Sequence, residues 1–148
     1  MFKVNKILVP VDFSENSKKI LQHAVGIAEG YDAKLIFLYV VESLKSYGRL
    51  SIPHVSFGEL EKGLAESAER EMEDFLEDNL DRPLAHESKV LQGNIVDKIN
   101  SVAESEGVDM IVMGTHGYKG LEKAMFGSVA ERVVKTAPCP VLTINPYK

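Results

Sequence analysis

Four times along this chain a short, strand-like run gives way to residues at helical spacing, and a fifth apolar run closes the sequence. Ile7-Leu8-Val9-Pro10-Val11 is apolar on both faces, as a buried parallel strand requires, and Pro10 marks its end because proline removes a ladder donor. Ser14 is placed to cap the next helix, with Glu15 in its first turn; Ile20, Leu21, Ala24, Val25, Ile27 and Ala28 follow at helical spacing, and Gly30 is the expected C-cap glycine. Lys34 to Val41 reads as a second buried strand, Glu42 to Gly58 as a long loop, and Glu59 to Leu80 as a polar helix. The narrow apolar stripe of that helix is Leu60, Leu64, Ala68, Met72, Phe75 and Leu76. His86 to Leu91 alternates weakly as a third strand. After Gly93 and Asn94, an amphipathic helix carries Ile95, Val96, Ile99, Val102 and Ala103 and ends at Gly107. Val108 to Met113 is the fourth strand, Gly127 to Thr136 the fourth helix, and Val141 to Ile144 the fifth strand, after Pro138 and Pro140.

The order βαβαβαβαβ predicts a parallel sheet with helices on both faces, a three-layer α/β/α fold, because right-handed crossovers place the helices there. Ligands of such folds sit beyond the carboxyl ends of the strands, where the strand order reverses. The segments after the first strand (Pro10-Val11-Asp12), the second (Val40-Val41) and the fourth (Gly114 onward) are expected to converge there. A chain of 148 residues without repeats or linker is expected to form one domain, residues 1–148. It buries roughly 68–70% of its unfolded surface, enough for a core without staples. A net charge of −5 argues against general nucleic-acid binding, which needs Lys and Arg to neutralise phosphates. The lone Cys139 forms no internal disulfide, and no signal-peptide core or long apolar span is evident, so the expectation is a cytoplasmic protein with no membrane association.

Where the fourth strand runs out, the chain reads Gly114-Thr115-His116-Gly117, and nine residues later Gly127-Ser128 opens a helix pattern. Strand, glycine-rich loop and helix start suit an anionic ligand: glycine lets a ligand approach the main chain, and a helix start offers unpaired N–H groups. A Walker A loop is excluded because Gly127-Ser128 is followed by Val129 and lacks the required lysine. A dinucleotide fingerprint is excluded because the glycines follow the fourth strand at different spacing.

The spacing G-x2-G-x9-G-[ST], met by Gly114, Gly117, Gly127 and Ser128, resembles the nucleotide-binding branch of the universal stress protein family. So do the opening Lys6 to Ser14 and the ending Gly127 to Val134 with Ala137 to Leu142, and the likeness runs the length of the chain. The resemblance implies a flavodoxin-like, adenine nucleotide alpha hydrolase-like sheet of five parallel strands in the order 3-2-1-4-5. It also implies a homodimer and an ATP or AMP site. Carried over by position, Pro10, Val11 and Asp12 lie against the adenosine, Val40 meets the adenine with its backbone, and Met113 and Gly114 line the ribose and α-phosphate side. Gly117, Gly127, Ser128, Val129 and Ala130 cradle the phosphates, with Val11, Val40 and Met113 as an apolar slot for the base. Hydrogen bonds to a charged partner contribute roughly 1.5–3 kcal/mol each, so three or four correspond to micromolar binding, about −8 kcal/mol. One departure is Tyr118, with Lys119 next, where many members carry a basic residue; Lys119 and Lys123 are the candidates to approach the terminal phosphates.

Simpler roles stand beside these. Asp12 also suits a polar turn before a helix, Ser128 a helix cap, His116 an exposed loop position, and Cys139 a small packed residue. The acidic face of Glu59 to Asp81 suits a solvated helix surface. His23, His54, His86 and Cys139 lack metal-ligand spacing, so Mg²⁺ would arrive with the nucleotide. With neither a Walker lysine nor a nucleophile-base constellation, no catalytic residue is assigned. The function expected is a regulatory binding module whose bound nucleotide reports cell state to a protein partner. A slow ATPase, an interaction protein with an empty pocket, and last an FMN carrier are the alternatives. Val141 to Ile144 is expected to be an apolar edge strand through which two copies pair.

Overall fold

Parallel strand pairs set the frame of the molecule. The computed structural model describes residues 1–43, 57–116 and 129–148. Its strands are β1 (Lys6–Pro10), β2 (Lys34–Glu42), β3 (His86–Gly93), β4 (Met110–Gly114) and β5 (Val141–Ile144). They form one sheet in the order β3-β2-β1-β4-β5, every neighbouring pair parallel, as the resemblance implied. The helices are α1 (Glu15–Tyr31), α2 (Phe57–Asn79), α3 (Ile95–Ser105) and α4 (Glu131–Thr136).

Side chains alternate across a strand, so the two faces of the sheet carry different residues. Ile7, Val9, Leu35, Phe37 and Val112 face α1 and α2, where they meet Leu21, Ala24, Met72 and Phe75. Leu8, Ile36, Leu38, Ile111 and Met113 face the other way, against Val96, Ile99 and Val102 of α3 and Val133 of α4. Both faces are apolar, which is why the central strands read as continuous hydrophobic runs.

The local signals account for most boundaries. Ser14 caps α1, its side chain accepting from the Ser17 N–H, and Asn94 caps α3 by accepting from the Asp97 N–H at 3.1 Å. Gly107, at φ 61°, follows the end of α3. Ala137 is extended (ψ 143°) ahead of Pro138, whose ring disfavours helix at the preceding residue.

Several boundaries differ from expectation. Gly30 does not cap α1: the helix continues to Tyr31, and Asp32 takes the left-handed conformation (φ 54°), its N–H reaching the Ala28 carbonyl. Asp tolerates this conformation better than most side chains do. The expected loop over Glu42 to Gly58 is shorter, because β2 runs through Glu42 and α2 begins at Phe57; its central part, 44–56, lies outside the described residues. The described fourth helix starts at Glu131 after a wider π-type turn at Val129–Ala130, and Gly127 and Ser128 lie outside the described residues. No helix among the described residues is long and apolar enough to cross a membrane.

Candidate functional site at the carboxyl edge of the sheet

The strand order reverses between β1 and β4, the position where an α/β sheet opens a crevice. β1 stays in register with β2 up to Pro10–Leu38, and Val11 adds a bond, its N–H donating to the Leu38 carbonyl at 2.9 Å. Against β4 it pairs only at Ile7–Met110 and Leu8–Ile111, although both strands run on. The carboxyl ends of the two central strands are therefore unpaired with each other among the described residues.

Pro10, Val11 and Asp12 leave β1 at this place, and Met113 and Gly114 end β4 on the other side of it. Val40 lies on β2 two residues beyond Leu38, the last β2 residue in register with β1. These positions share one edge of the sheet, but not one face. Val40 and Met113 belong to the α3–α4 side and Val11 to the α1–α2 side, and all three are buried (8%, 5% and 7% exposed). The Val11 side chain thus packs into one layer, and those of Val40 and Met113 into the other.

Gly114 has a packing reason of its own. A Cβ there would lie 3.1 Å from the His116 carbonyl oxygen and 3.3 Å from Cγ1 of Ile20 on α1. Thr115 then donates its N–H to the Ile144 carbonyl at 2.9 Å, tying the exit of β4 to β5. Ala130 is buried, and the partly buried Val129 packs against the same core cluster.

Asp12 is the polar centre of the edge. Its Oδ1 accepts from the Ser14 N–H (3.0 Å), the Ser14 hydroxyl and the Ser17 hydroxyl (2.7 Å), while its own N–H donates to Ser17 Oγ (2.9 Å). Oδ2 makes no hydrogen bond among the described residues. Both expected roles, turn residue and ligand contact, are compatible with this arrangement.

Sequence reasoning missed two features. Phe13, between Asp12 and the α1 cap, has φ 64°, and its ring lies 4.5 Å from that of Tyr39 and 5.7 Å from that of Phe75. Its sequence carries no signal for this, since aromatic residues rarely adopt positive φ. His116 is half-buried rather than exposed: Nδ1 lies 2.8 Å from Thr115 Oγ1, and its ring meets Tyr147 edge-on at 5.1 Å. Tyr147 in turn accepts from Asn16 Nδ2 at 3.1 Å, and Lys19 reaches the Pro146 carbonyl at 2.8 Å.

Two ion pairs among the described residues lie elsewhere. Lys34 and Glu87, at the amino ends of β2 and β3, form an ion pair, and the Lys34 hydrogen bond holds the Glu87 carboxyl below the usual range. A Glu106 hydrogen bond raises the Lys89 ammonium. A shallow cleft of about 400 Å³ between α2 and β3, lined by Leu76, Leu80, Glu77 and His86, is likewise remote from the β1–β4 crevice. Cys139 is partly buried, and burial pushes its thiol upward.

The profile of the universal stress protein family matches residues 3–145. The chain belongs to the universal stress protein family. Its relatives include Universal stress protein MJ0531 of Methanocaldococcus jannaschii, 36% identical over 97% of this chain and 83% of the relative. Among solved structures, that of MJ0577 has a TM-score of 0.79 at 33% identity, covering 98% of this chain and 96% of that one. UspA from Lactobacillus plantarum has a TM-score of 0.78 at 27% identity, covering 97% and 99%. Two more distant structures, a universal stress protein in complex with cAMP and one from Archaeoglobus fulgidus in complex with dAMP, share the fold at 21% and 20% identity with TM-scores of 0.65 and 0.66. In this universal stress protein, the motif positions Gly117, Gly127 and Ser128, together with Tyr118, Lys119 and Lys123, lie outside the described residues.

Proposed function

We propose that this universal stress protein binds an adenine nucleotide, ATP or AMP, over the β1–β4 crevice and acts as a nucleotide-dependent binding module in a stress response. The observation that carries this reading is the full G-x2-G-x9-G-S spacing, which begins on Gly114, the last residue of β4, the strand that borders the crevice. Two universal stress proteins of this fold were solved with cAMP and with dAMP, which agrees with an adenylate as the ligand class. Asp12 fits such a ligand: one carboxylate oxygen is committed to the α1 cap, and the other is available for a ribose hydroxyl or an adenine amino group. Val40 would contribute backbone, because its side chain is buried, and Gly117, Gly127, Ser128, Val129 and Ala130 would offer main-chain N–H groups to the phosphates.

Mg²⁺ would come with the nucleotide. No cluster of three or more His, Cys, Asp or Glu suited to a metal occurs among the described residues, and Mg²⁺ commonly binds substrate phosphates and waters. Phosphoryl transfer needs positioned cations and a group orienting the attacking water, and no such pair is assigned, so the reading is a binding module rather than an ATPase. Titration of the purified protein with ATP and Mg²⁺ tests it: saturable micromolar binding is expected, and no heat and no thermal shift at millimolar ATP would refute it.

A dimer through β5 belongs to the same proposal. Among the described residues β5 is an edge strand paired to β4 alone, and Leu142 is 40% exposed on it. An open apolar edge invites pairing with a second copy. The Ile144 carbonyl accepts from Thr115 on the β4 side, so the alternate residue Thr143 turns its N–H outward. Thr143→Pro removes that N–H from the edge and is expected to convert a dimer to a monomer in sedimentation equilibrium. A variant that sediments as a dimer would exclude this interface.

A further inference from the structure

We propose that Phe13 is a positioning residue for the nucleotide site: its left-handed backbone, held by an aromatic stack, aims the Asp12 carboxylate. The inference rests on the adenylate reading above and adds to it the residue that sets the site's geometry.

A left-handed conformation is costly for a residue with a Cβ, which crowds the following carbonyl oxygen, and is the ordinary province of glycine. Here it is occupied by phenylalanine (φ 64°), and strained backbone of this kind persists only where its surroundings over-determine it. The surroundings are two rings from two different elements. Tyr39 of β2 stacks on Phe13 at 4.5 Å with the planes 30° apart, and Phe75 of α2 meets it edge-on at 5.7 Å. Phe13 packs against the core cluster on that face. The ring is thus an anchor that fixes the reversal of the chain between β1 and α1.

The reversal determines where Asp12 points. With Phe13 turned left-handed, Ser14 and Ser17 come back to meet Asp12 Oδ1, and Ser17 Oγ accepts the Asp12 N–H. Asp12 is held through its backbone and through one carboxylate oxygen, which fixes the direction of the other. A glycine at position 13 would reach the same φ without strain, yet it would have no ring to hold the turn. Tyr39 directly precedes Val40, so the same stack also fixes the end of β2 at the site.

The test compares wild type with Phe13→Gly, Phe13→Tyr and Tyr39→Leu, reading amide hydrogen exchange at Asp12 and Ser14 and ATP affinity by titration. Phe13→Gly is expected to accelerate exchange at both amides by about tenfold, a local opening with the sheet core still protected. It is also expected to weaken ATP binding about tenfold, equivalent to ~1.4 kcal/mol. Phe13→Tyr keeps the ring and is expected to restore both, and Tyr39→Leu to reproduce the Phe13→Gly pattern with residue 13 intact. A purely structural Phe13 would lower the melting temperature and leave exchange at Ser14 and affinity at wild-type values, and that result overturns the proposal. If wild type binds no adenylate, the adenylate reading fails and the exchange data alone decide: faster exchange in Phe13→Gly with recovery in Phe13→Tyr sustains the positioning role, and unchanged exchange removes it. If Phe13→Gly does not fold, Tyr39→Leu decides by the same two readouts.

Discussion

Phe37→Ala is expected to lower the unfolding free energy by about 3–5 kcal/mol, the range for a truncated buried phenylalanine. Phe37 is the largest of the fully buried side chains among the described residues, sits on interior strand β2 between β3 and β1, and faces the α1–α2 layer. It also meets the ring of His86 on the neighbouring strand edge-on at 6.3 Å. Removing the ring leaves a cavity that strands on both sides hold open, so little collapse relieves it. At roughly 2–4 °C per kcal/mol for a domain of this size, the melting temperature falls by about 10 °C. Urea unfolding with an unchanged slope checks it, and a loss under about 1 kcal/mol would mean that Phe37 does not carry this core.

Asp12→Ala should separate two roles that meet in one carboxylate. The substitution takes the acceptor from the Ser14 N–H and from the Ser14 and Ser17 hydroxyls, and loss of such a cap typically costs about 1–2 kcal/mol. It also removes a charged partner from the ligand, for which about 1.5–3 kcal/mol, or roughly 10- to 100-fold in ATP affinity, is expected. Asp12→Asn resolves the two. Its amide oxygen can still serve Ser14 and Ser17, so stability returns toward wild type, whereas an amide donor in place of Oδ2 leaves affinity low. Thermal melts and titrations of both variants give the comparison. Full affinity in Asp12→Asn would mean that the carboxylate serves only the turn.

The alternation of apolar runs and helical spacing made the sheet legible, because parallel strands buried on both faces and helices buried on one leave distinct patterns. Val141–Ile144 came out at its expected bounds, and Ser14 caps α1 as its residue type suggested. Helix ends were less legible. Gly30 is an attractive terminator, but a glycine can remain helical when nothing crowds it, and Asp32 supplied the left-handed turn instead. At the site, the edge positions followed from topology, while side-chain direction did not. Period-two alternation places Val11 with Ile7 and Val9, but only the assembled sheet shows that Val40 and Met113 face the opposite layer. Gly114 was legible as a glycine that must stay small, and its packing against Ile20 of a distant helix was not. Phe13 and His116 were not legible, because the groups that hold them, Tyr39, Phe75 and Tyr147, are remote in sequence.

In the proposed nucleotide site, main-chain N–H groups after β4, bared by glycine, would hold the phosphates of an adenine nucleotide. Paired calorimetric titrations of wild type and Gly127→Val with ATP and Mg²⁺ test it most directly. Saturable heat in wild type, with a dissociation constant on the order of micromolar, and its loss in a Gly127→Val protein that still melts cooperatively are the results predicted. Equal heats from both proteins would contradict the claim.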